Sequence, residues 1–308
     1  MRSLFLALLV LLVTLVAQSA SARAISIASW NLNNLHHVAG EPLRDRAPVR
    51  YEEDYATLRL YAERLNADII ALQEVNGPQA ARRVFPPAQY ELYFSGRYAE
   101  DRANRRASDR IYTGFAVRRR VFTDVSKRDY ADIGVGHGDR RTRWGTDLLV
   151  AIDGRQLRLL SVHLKSGCPR GSLERSRSGS CATLAQQREP LEAWIDARAV
   201  ERVPFVIVGD FNRAFDVHGA RDHLWREVDD SDPAGLNLTR LPFKSKSKCW
   251  RGTSAYHVEP IDFFVFDARA WQRVKRASFT QLTYEPRHRD IKRRTPSDHC
   301  PIRVEIDL

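Results

Sequence analysis

Several short apolar runs in this chain stop abruptly on a polar side chain, and this constrains the fold more than any other feature. The clearest case spans Phe205 to Asn212, where Phe205, Val206, Ile207 and Val208 run into Gly209, Asp210, Phe211 and Asn212. Runs of this length and composition read as buried strands. Side chains alternate along a strand, so Asp210 and Asn212 are expected to share a direction while Phe211 points the other way, into the core. The ending recurs. A first strand over 24–31 closes on Asn31, with Asn33 two residues on, and the run 68–75 carries Glu74. The run 159–164 carries His163, Asp262 opens an apolar run to Phe266, and Asp298 and His299 stand just before the last strand. Strand ends meet along one rim of a sheet, so these groups are expected in one cleft.

The remaining segments fill in around these strands. Tyr55, Leu58, Ala62 and Leu65 recur at helical spacing, and Pro78 opens a second helix. Strands are expected over 90–96 and 111–120, separated by a charged loop over 97–110. A hairpin is expected across Asp153-Gly154, followed by a helix over 182–200 that Pro190 splits or kinks. Strands over 277–284 and 301–308 close the chain. No repeat and no long linker interrupts this order, which predicts one α/β domain with substantial sheet.

The first 22 residues stand apart. Arg2, an apolar stretch from Leu4 to Ala17 and the small-residue end Ala20-Ser21-Ala22 form the pattern of a secretory signal peptide. The expected mature domain is 23–308, exported to the periplasm or the medium. No later segment is apolar enough to span a membrane, and no stable membrane association is expected. The four cysteines, Cys168, Cys181, Cys249 and Cys300, are an even set suited to two disulfides in an exported chain. Of the three connectivities, pairing Cys168 with Cys181 would staple a Ser/Gly/Arg-rich loop and leave Cys249 for Cys300.

The chain of 308 residues carries a formal charge of +11, which suggests a polyanionic partner. The residue types at the strand ends suggest the chemistry. Carboxylate and amide oxygens suit a hard divalent ion such as Mg²⁺ or Mn²⁺ better than zinc. A His–Asp pair can act as an acid/base unit, and an amide beside a carboxylate can orient a water. Neither a nucleophile elbow nor a phosphate-cradling P-loop occurs in the sequence. The set fits metal-assisted hydrolysis of a phosphoester.

The motifs SWNLNN, LQEV, SVHLKSG, VGDFN, IDFFVF and SDHCPI follow one another from about Ile25 to Ile302. In kind and order they resemble the endonuclease/exonuclease/phosphatase superfamily, the deoxyribonuclease I-like proteins, most closely a secreted bacterial nuclease. The resemblance implies an α/β four-layer sandwich: two mixed β-sheets packed face to face with helices outside. It implies that Glu74 ligates a divalent metal, usually Mg²⁺, with Asn31 and Asp298 lining the same pocket. It implies that Asp210 positions or deprotonates the attacking water and that Asn212 orients the water or the phosphate. Asp262 is expected to pair with His299, a phosphate ligand or base, and His163 to serve the leaving group. One departure is Asn33, where some members carry an aspartate; a neutral amide there weakens the case for a second metal. A structural role for Ca²⁺ stays open.

The resemblance leaves the substrate undecided between nucleic acid, sphingomyelin and inositol phosphates. Arg97, Arg102, Arg105, Arg106 and Arg110 lie in one segment, Arg140, Arg141, Arg143 and Trp144 in another, and Arg170, Arg175 and Arg177 between two cysteines. Such positions suit phosphate-backbone contacts, with Arg105, Arg106, Arg110, Arg143 and Trp144 the leading candidates. The expectation is a monomeric, exported, metal-dependent endonuclease for DNA, with RNA also open. The rivals are a phospholipase C of the sphingomyelinase type and a non-catalytic polyanion binder. Trp250 and Tyr256 are the candidates for isolated exposed aromatics.

Overall fold

The computed structural model describes residues 23–138 and 141–308, so the expected signal peptide and Arg140 lie outside the described residues. The strands are β1 (Ala24–Leu35), β2 (Ile69–Val75), β3 (Tyr90–Phe94), β4 (Tyr112–Arg118), β5 (Asp124–Tyr130) and β6 (Gly145–Ile152). They continue with β7 (Arg155–His163), β8 (Phe205–Asp210), β9 (Thr239–Leu241), β10 (Asp262–Phe266), β11 (Val274–Gln281) and β12 (Ile302–Asp307). The helices are α1 (Glu52–Leu65), α2 (Pro78–Arg82), α3 (Arg97–Ala103), α4 (Gly179–Gln186), α5 (Arg188–Glu201), α6 (Phe215–His218), α7 (His223–Val228) and α8 (Ala268–Trp271).

The strands form two mixed six-stranded sheets, ordered β11-β12-β1-β2-β4-β3 and β5-β6-β7-β8-β10-β9. Alternation along the central strands builds the layers. Ile25 and Ile27 of β1, Ile69 and Ala71 of β2, Leu157 and Leu159 of β7, and Val206 and Val208 of β8 pack between the sheets. The residues that alternate with them face outward. Trp30, Ile70 and Leu72 bury Tyr55, Leu58 and Ala62 of α1. Leu160, Phe205 and Ile207 bury Leu184 of α4, Leu191 and Trp194 of α5, and Leu224 of α7. The expected four-layer sandwich is the observed one.

The hairpin turns at Asp153 and Gly154, both at positive φ, as a tight right-twisted hairpin requires. The expected long helix is split, and Pro190 sits in the first turn of α5, where its missing N–H costs nothing. The disulfides are Cys168–Cys181 and Cys249–Cys300.

Three expectations need correction. The segment 97–110 is not all loop, because α3 forms at its start. Arg97 pairs with Asp101 one turn on, the Tyr112 hydroxyl donates to Asp101, and Tyr98 packs edge-on against Tyr112. Arg97 is therefore largely buried, with its guanidinium held by Asp101. Trp250 is buried too, its indole N–H donating to the Ser297 carbonyl beside Tyr284. Finally, β8 ends at Asp210, so Asn212 is not on the strand.

Candidate active site

The inter-sheet layer changes character along its length. On β1 the inward phase runs Ile25, Ile27, Ser29, Asn31; on β2 it runs Ile69, Ala71, Gln73; on β7 it runs Leu157, Leu159, Ser161, His163. On β8 it runs Val206, Val208, Asp210, and antiparallel β10 opens on Asp262 before Phe264. One end of the sandwich interior is therefore polar, and that end is the site. Registry places the groups side by side: His163 is opposite Asp210 on the parallel pair β7–β8, and Asp262 is opposite Asp210 on the antiparallel pair β8–β10.

Hydrogen bonds lock the two sheets together here. The Asn31 amide donates to Asp210 at 3.0 Å and to Glu74 at 3.2 Å, linking one sheet to the other. The Gln73 amide donates to Ser161 at 3.3 Å, and Ser29 donates to Gln73 at 3.2 Å. His299 Nδ1 lies 2.8 Å from the Asp262 carboxylate, as expected for that pair, and His299 Nε2 lies 3.9 Å from Asp210. His163 Nε2 lies 3.5 Å from Asp210 and 3.7 Å from Glu74. Asp298 adjoins His299, with the Arg294 guanidinium 3.9 Å away.

Backbone strain aims several of these groups. Asn33, Asn34, Glu74 and Asn212 all have positive φ, a region costly for residues other than glycine. At Glu74 it breaks the alternation of β2 and turns the carboxylate toward Asn34, whose backbone and side-chain N–H groups donate to it at 3.1 and 2.8 Å. At Asn212 it folds the chain back, so the Asn212 N–H caps Asp210 at 2.8 Å and its amide donates to the Leu164 carbonyl at 3.1 Å. Asn212 reaches the site through this turn and not through strand alternation. Phe211 does enter the core, packing on Phe215 and Phe263.

Burial sets the charges. It pushes the Asp210 carboxyl up to about 7; His299 opposes the rise, and Asp262 and Glu74 add to it. Burial also holds His163 well below its ordinary value, helped by the nearby charge of Arg143. For His299 burial acts in the same direction, but Asp262, Asp210 and Asp298 outweigh it and raise the imidazole well above its ordinary value. The two histidines flanking Asp210 are thus pushed in opposite directions, His163 toward the neutral form and His299 toward the cation.

Two recesses adjoin the centre. On the His163 flank, Arg44, Arg110, Arg141 and Arg143 line a cavity of about 100 Å³, and Arg143 donates to the Leu164 carbonyl at 2.8 Å. On the other flank, a groove of about 520 Å³ reaches Asn212, Asp262, Asp298 and His299. Arg105 and Arg106 are exposed on the turn after α3 and line neither recess. Trp144 is half-buried, with the Arg141 guanidinium over its ring at 5.7 Å, and it too lies outside the cavity lining.

A family model described as the endonuclease/exonuclease/phosphatase family matches residues 28–299. The chain belongs to that family. Members of the endonuclease/exonuclease/phosphatase family are generally metal-dependent phosphoesterases. No curated protein matches the chain. Among solved structures, truncated Caenorhabditis elegans TDP2 is similar at 20% identity and TM-score 0.58, over 92% of this chain and 98% of that one. A Bacteroides thetaiotaomicron mannosyl-6-phosphatase is similar at 15% identity and TM-score 0.57, over 92% and 100%. The human Nocturnin catalytic domain with bound sulfate is similar at 16% identity and TM-score 0.53, over 92% and 93%. Identities this low carry the fold alone.

The donor set fits the divalent ion of this family. The hydrogen bonds to Glu74 come from neutral amides, so among the described residues no ion pair with a lysine or arginine occupies its oxygens, although the charge of Arg143 reaches it. Among the described residues, the titratable groups whose ligand atoms cluster within 4.8 Å are Asp210, Asp262 and His299. Their geometry also serves as a hydrogen-bonded acid/base pair beside a capped carboxylate. Sequence reading missed Asn34, Gln73, Ser161 and Ser297, whose hydroxyl donates to the Asn31 carbonyl at 2.7 Å. It also missed Arg50, buried and bonded to the carbonyls of Leu32, Asn33 and Pro296. The inward phase of β2 and β7 carried a signal for Gln73 and Ser161; nothing local marked Arg50.

Proposed function

We propose that the protein is an exported endonuclease that hydrolyses internal phosphodiesters of DNA, and of RNA where offered, using Mg²⁺ or Mn²⁺. The observation that carries this reading is the placing of recesses on both flanks of Asp210, one lined by arginines. A substrate that continues past the reacting phosphate in both directions makes use of both. A phosphomonoester does not. The net charge of +11 favours a polyanion, and two disulfides are compatible with export. The residues before 23 act as a removable signal, and 23–308 is the catalytic unit.

Glu74, Asn31 and Asp298 would hold the metal, which would supply positive charge to offset the charge that develops in the reaction. Asp210, buried and capped by the Asn212 N–H, takes the proton of the attacking water as the new P–O bond forms in line. Asn212 orients the water and the phosphoryl group. His299, kept cationic by Asp262, hydrogen-bonds a non-bridging oxygen as charge develops there. His163, neutral and opposite His299 across Asp210, donates a hydrogen bond to the leaving oxygen as the scissile P–O bond breaks, and that oxygen takes up a proton from water as it departs. Arg143 and its neighbours hold the next phosphate along the strand.

The test is digestion of plasmid and single-stranded DNA, RNA, sphingomyelin liposomes and a sugar phosphate with the purified chain. Cleavage of polynucleotide in Mg²⁺ that stops with EDTA is expected. Intact polynucleotide beside hydrolysed lipid or sugar phosphate would sink the reading.

A further inference from the structure

The 520 Å³ groove has a composition that a phosphate strand alone does not explain. It is the size of a small-molecule site and adjoins the reacting centre at Asn212, Asp262 and His299. Its lining includes half-buried Ile261 and Phe279 beside buried Ile302, so apolar surface faces open space next to the chemistry. The Cys249–Cys300 disulfide lies in the wall and fixes the 245–249 segment to the residue after His299. Lys246 and Lys248 are exposed at the groove, and Ser245 and His257 add polar groups to the same lining.

We propose that this groove holds one unstacked nucleobase of the residue adjoining the scissile phosphate, making the enzyme selective for single-stranded or locally unpaired nucleic acid. The inference rests on the polynucleotide reading above. A nucleobase has apolar faces and a polar edge. The faces suit Ile261, Phe279 and Ile302, while Ser245 and His257 can meet the edge. The phosphates on either side of that base suit Lys246 and Lys248. An acyl chain would leave the polar lining unused. In a duplex the same base is stacked and paired, so reaching the groove requires extruding it first. Single strands avoid that cost.

The experiment compares a single-stranded oligonucleotide with its duplex, and with versions carrying one abasic residue on either side of the preferred scissile phosphate. We expect kcat/KM to be at least about tenfold higher on the single strand. An abasic residue on one side should lower it by about tenfold, the scale of base–aromatic and base–apolar stacking. Ser245→Trp, which fills the groove from an exposed position, should impose a similar loss on the intact strand and make the abasic change nearly neutral. Equal rates on single strand and duplex with no abasic effect would overturn the groove assignment and leave the nuclease reading standing. Absence of cleavage on every oligonucleotide would remove both, and release of a headgroup from lipid would place an acyl-bearing substrate there instead.

Discussion

At the scale of single residues, the site keeps a carboxyl where water cannot stabilise its charge. Burial, with Asp262 and Glu74 adding to it, pushes the Asp210 carboxyl up to about 7. A carboxyl whose folded value lies above its unfolded one binds its proton more tightly when folded. Its contribution to stability is therefore full below about pH 4 and lost as pH rises through 7. Asp210→Asn should lower kcat by about 10²–10⁴-fold. In EDTA at pH 8 it should also raise the melting temperature by about 2 °C or more, with little change at pH 4.5. Thermal melts at both pH values check this; a variant less stable at pH 8 would contradict it. Asp262 is predicted to act on pH dependence. Asp262→Asn takes away the largest charge holding the His299 proton, so the alkaline limb of kcat/KM against pH should move to lower pH. An unmoved limb would separate His299 protonation from catalysis. The Asp262–His299 pair was legible from residue types and motif order. The left-handed turn that delivers Asn212 was not, because alternation predicts only what a continuing strand does.

At the scale of elements, the site depends on β7 and β8 lying in register, and Gly209 makes that possible. Gly209 has φ +145°, and a Cβ there would lie 2.1 Å from the Val162 carbonyl oxygen, on the strand that carries His163. Neither the conformation nor the gap tolerates a side chain. Gly209→Ala should cost about 3 kcal/mol or more and part His163 from Asp210, read as a lowered denaturant midpoint with lost activity. A normal midpoint would show that the strands separate without harm. The Cys249–Cys300 disulfide closes a loop of 51 residues that carries Asp262 as well as one wall of the groove. In the chain-entropy model such a loop is worth about 4 kcal/mol, so a Cys249→Ser, Cys300→Ser double variant should unfold well before the parent. Unchanged melting would locate its stabilisation elsewhere. Strands announce themselves here by period, which made ten of the twelve legible; the edge strands β5 and β9 were not, because β5 is largely exposed and β9 is only three residues long. Helix α3 was not legible either, since its seven mostly charged or small residues are held as a helix by Tyr98 and Asp101 meeting Tyr112 across the chain.

At the scale of the whole molecule, the question is whether the charge of +11 is aimed or only spread. Much of it is spoken for locally: Arg64 and Arg287 pair with Glu285, Arg213 with Asp222, and Arg158 with Asp147. The cations beside the reaction centre are different, with Arg44, Arg141 and Arg143 on one flank and Lys246 and Lys248 on the other. If these meet phosphates, binding releases counterions, and the logarithm of affinity falls with the logarithm of salt by about 0.7 per contact on a single strand. Asp210→Asn at fixed Mg²⁺ slows turnover enough for binding to be measured. Its affinity for a labelled single strand should fall with a slope of about 3.5 in magnitude. Adding Arg44→Ser or Lys248→Ser should each lower that slope by about 0.7. Adding Arg287→Ser, exposed but held by Glu285, should leave it unchanged. If all three substitutions lower the slope alike, the charge acts as a general attraction. If only the first two do, it is organised as a track that runs through the site from both sides.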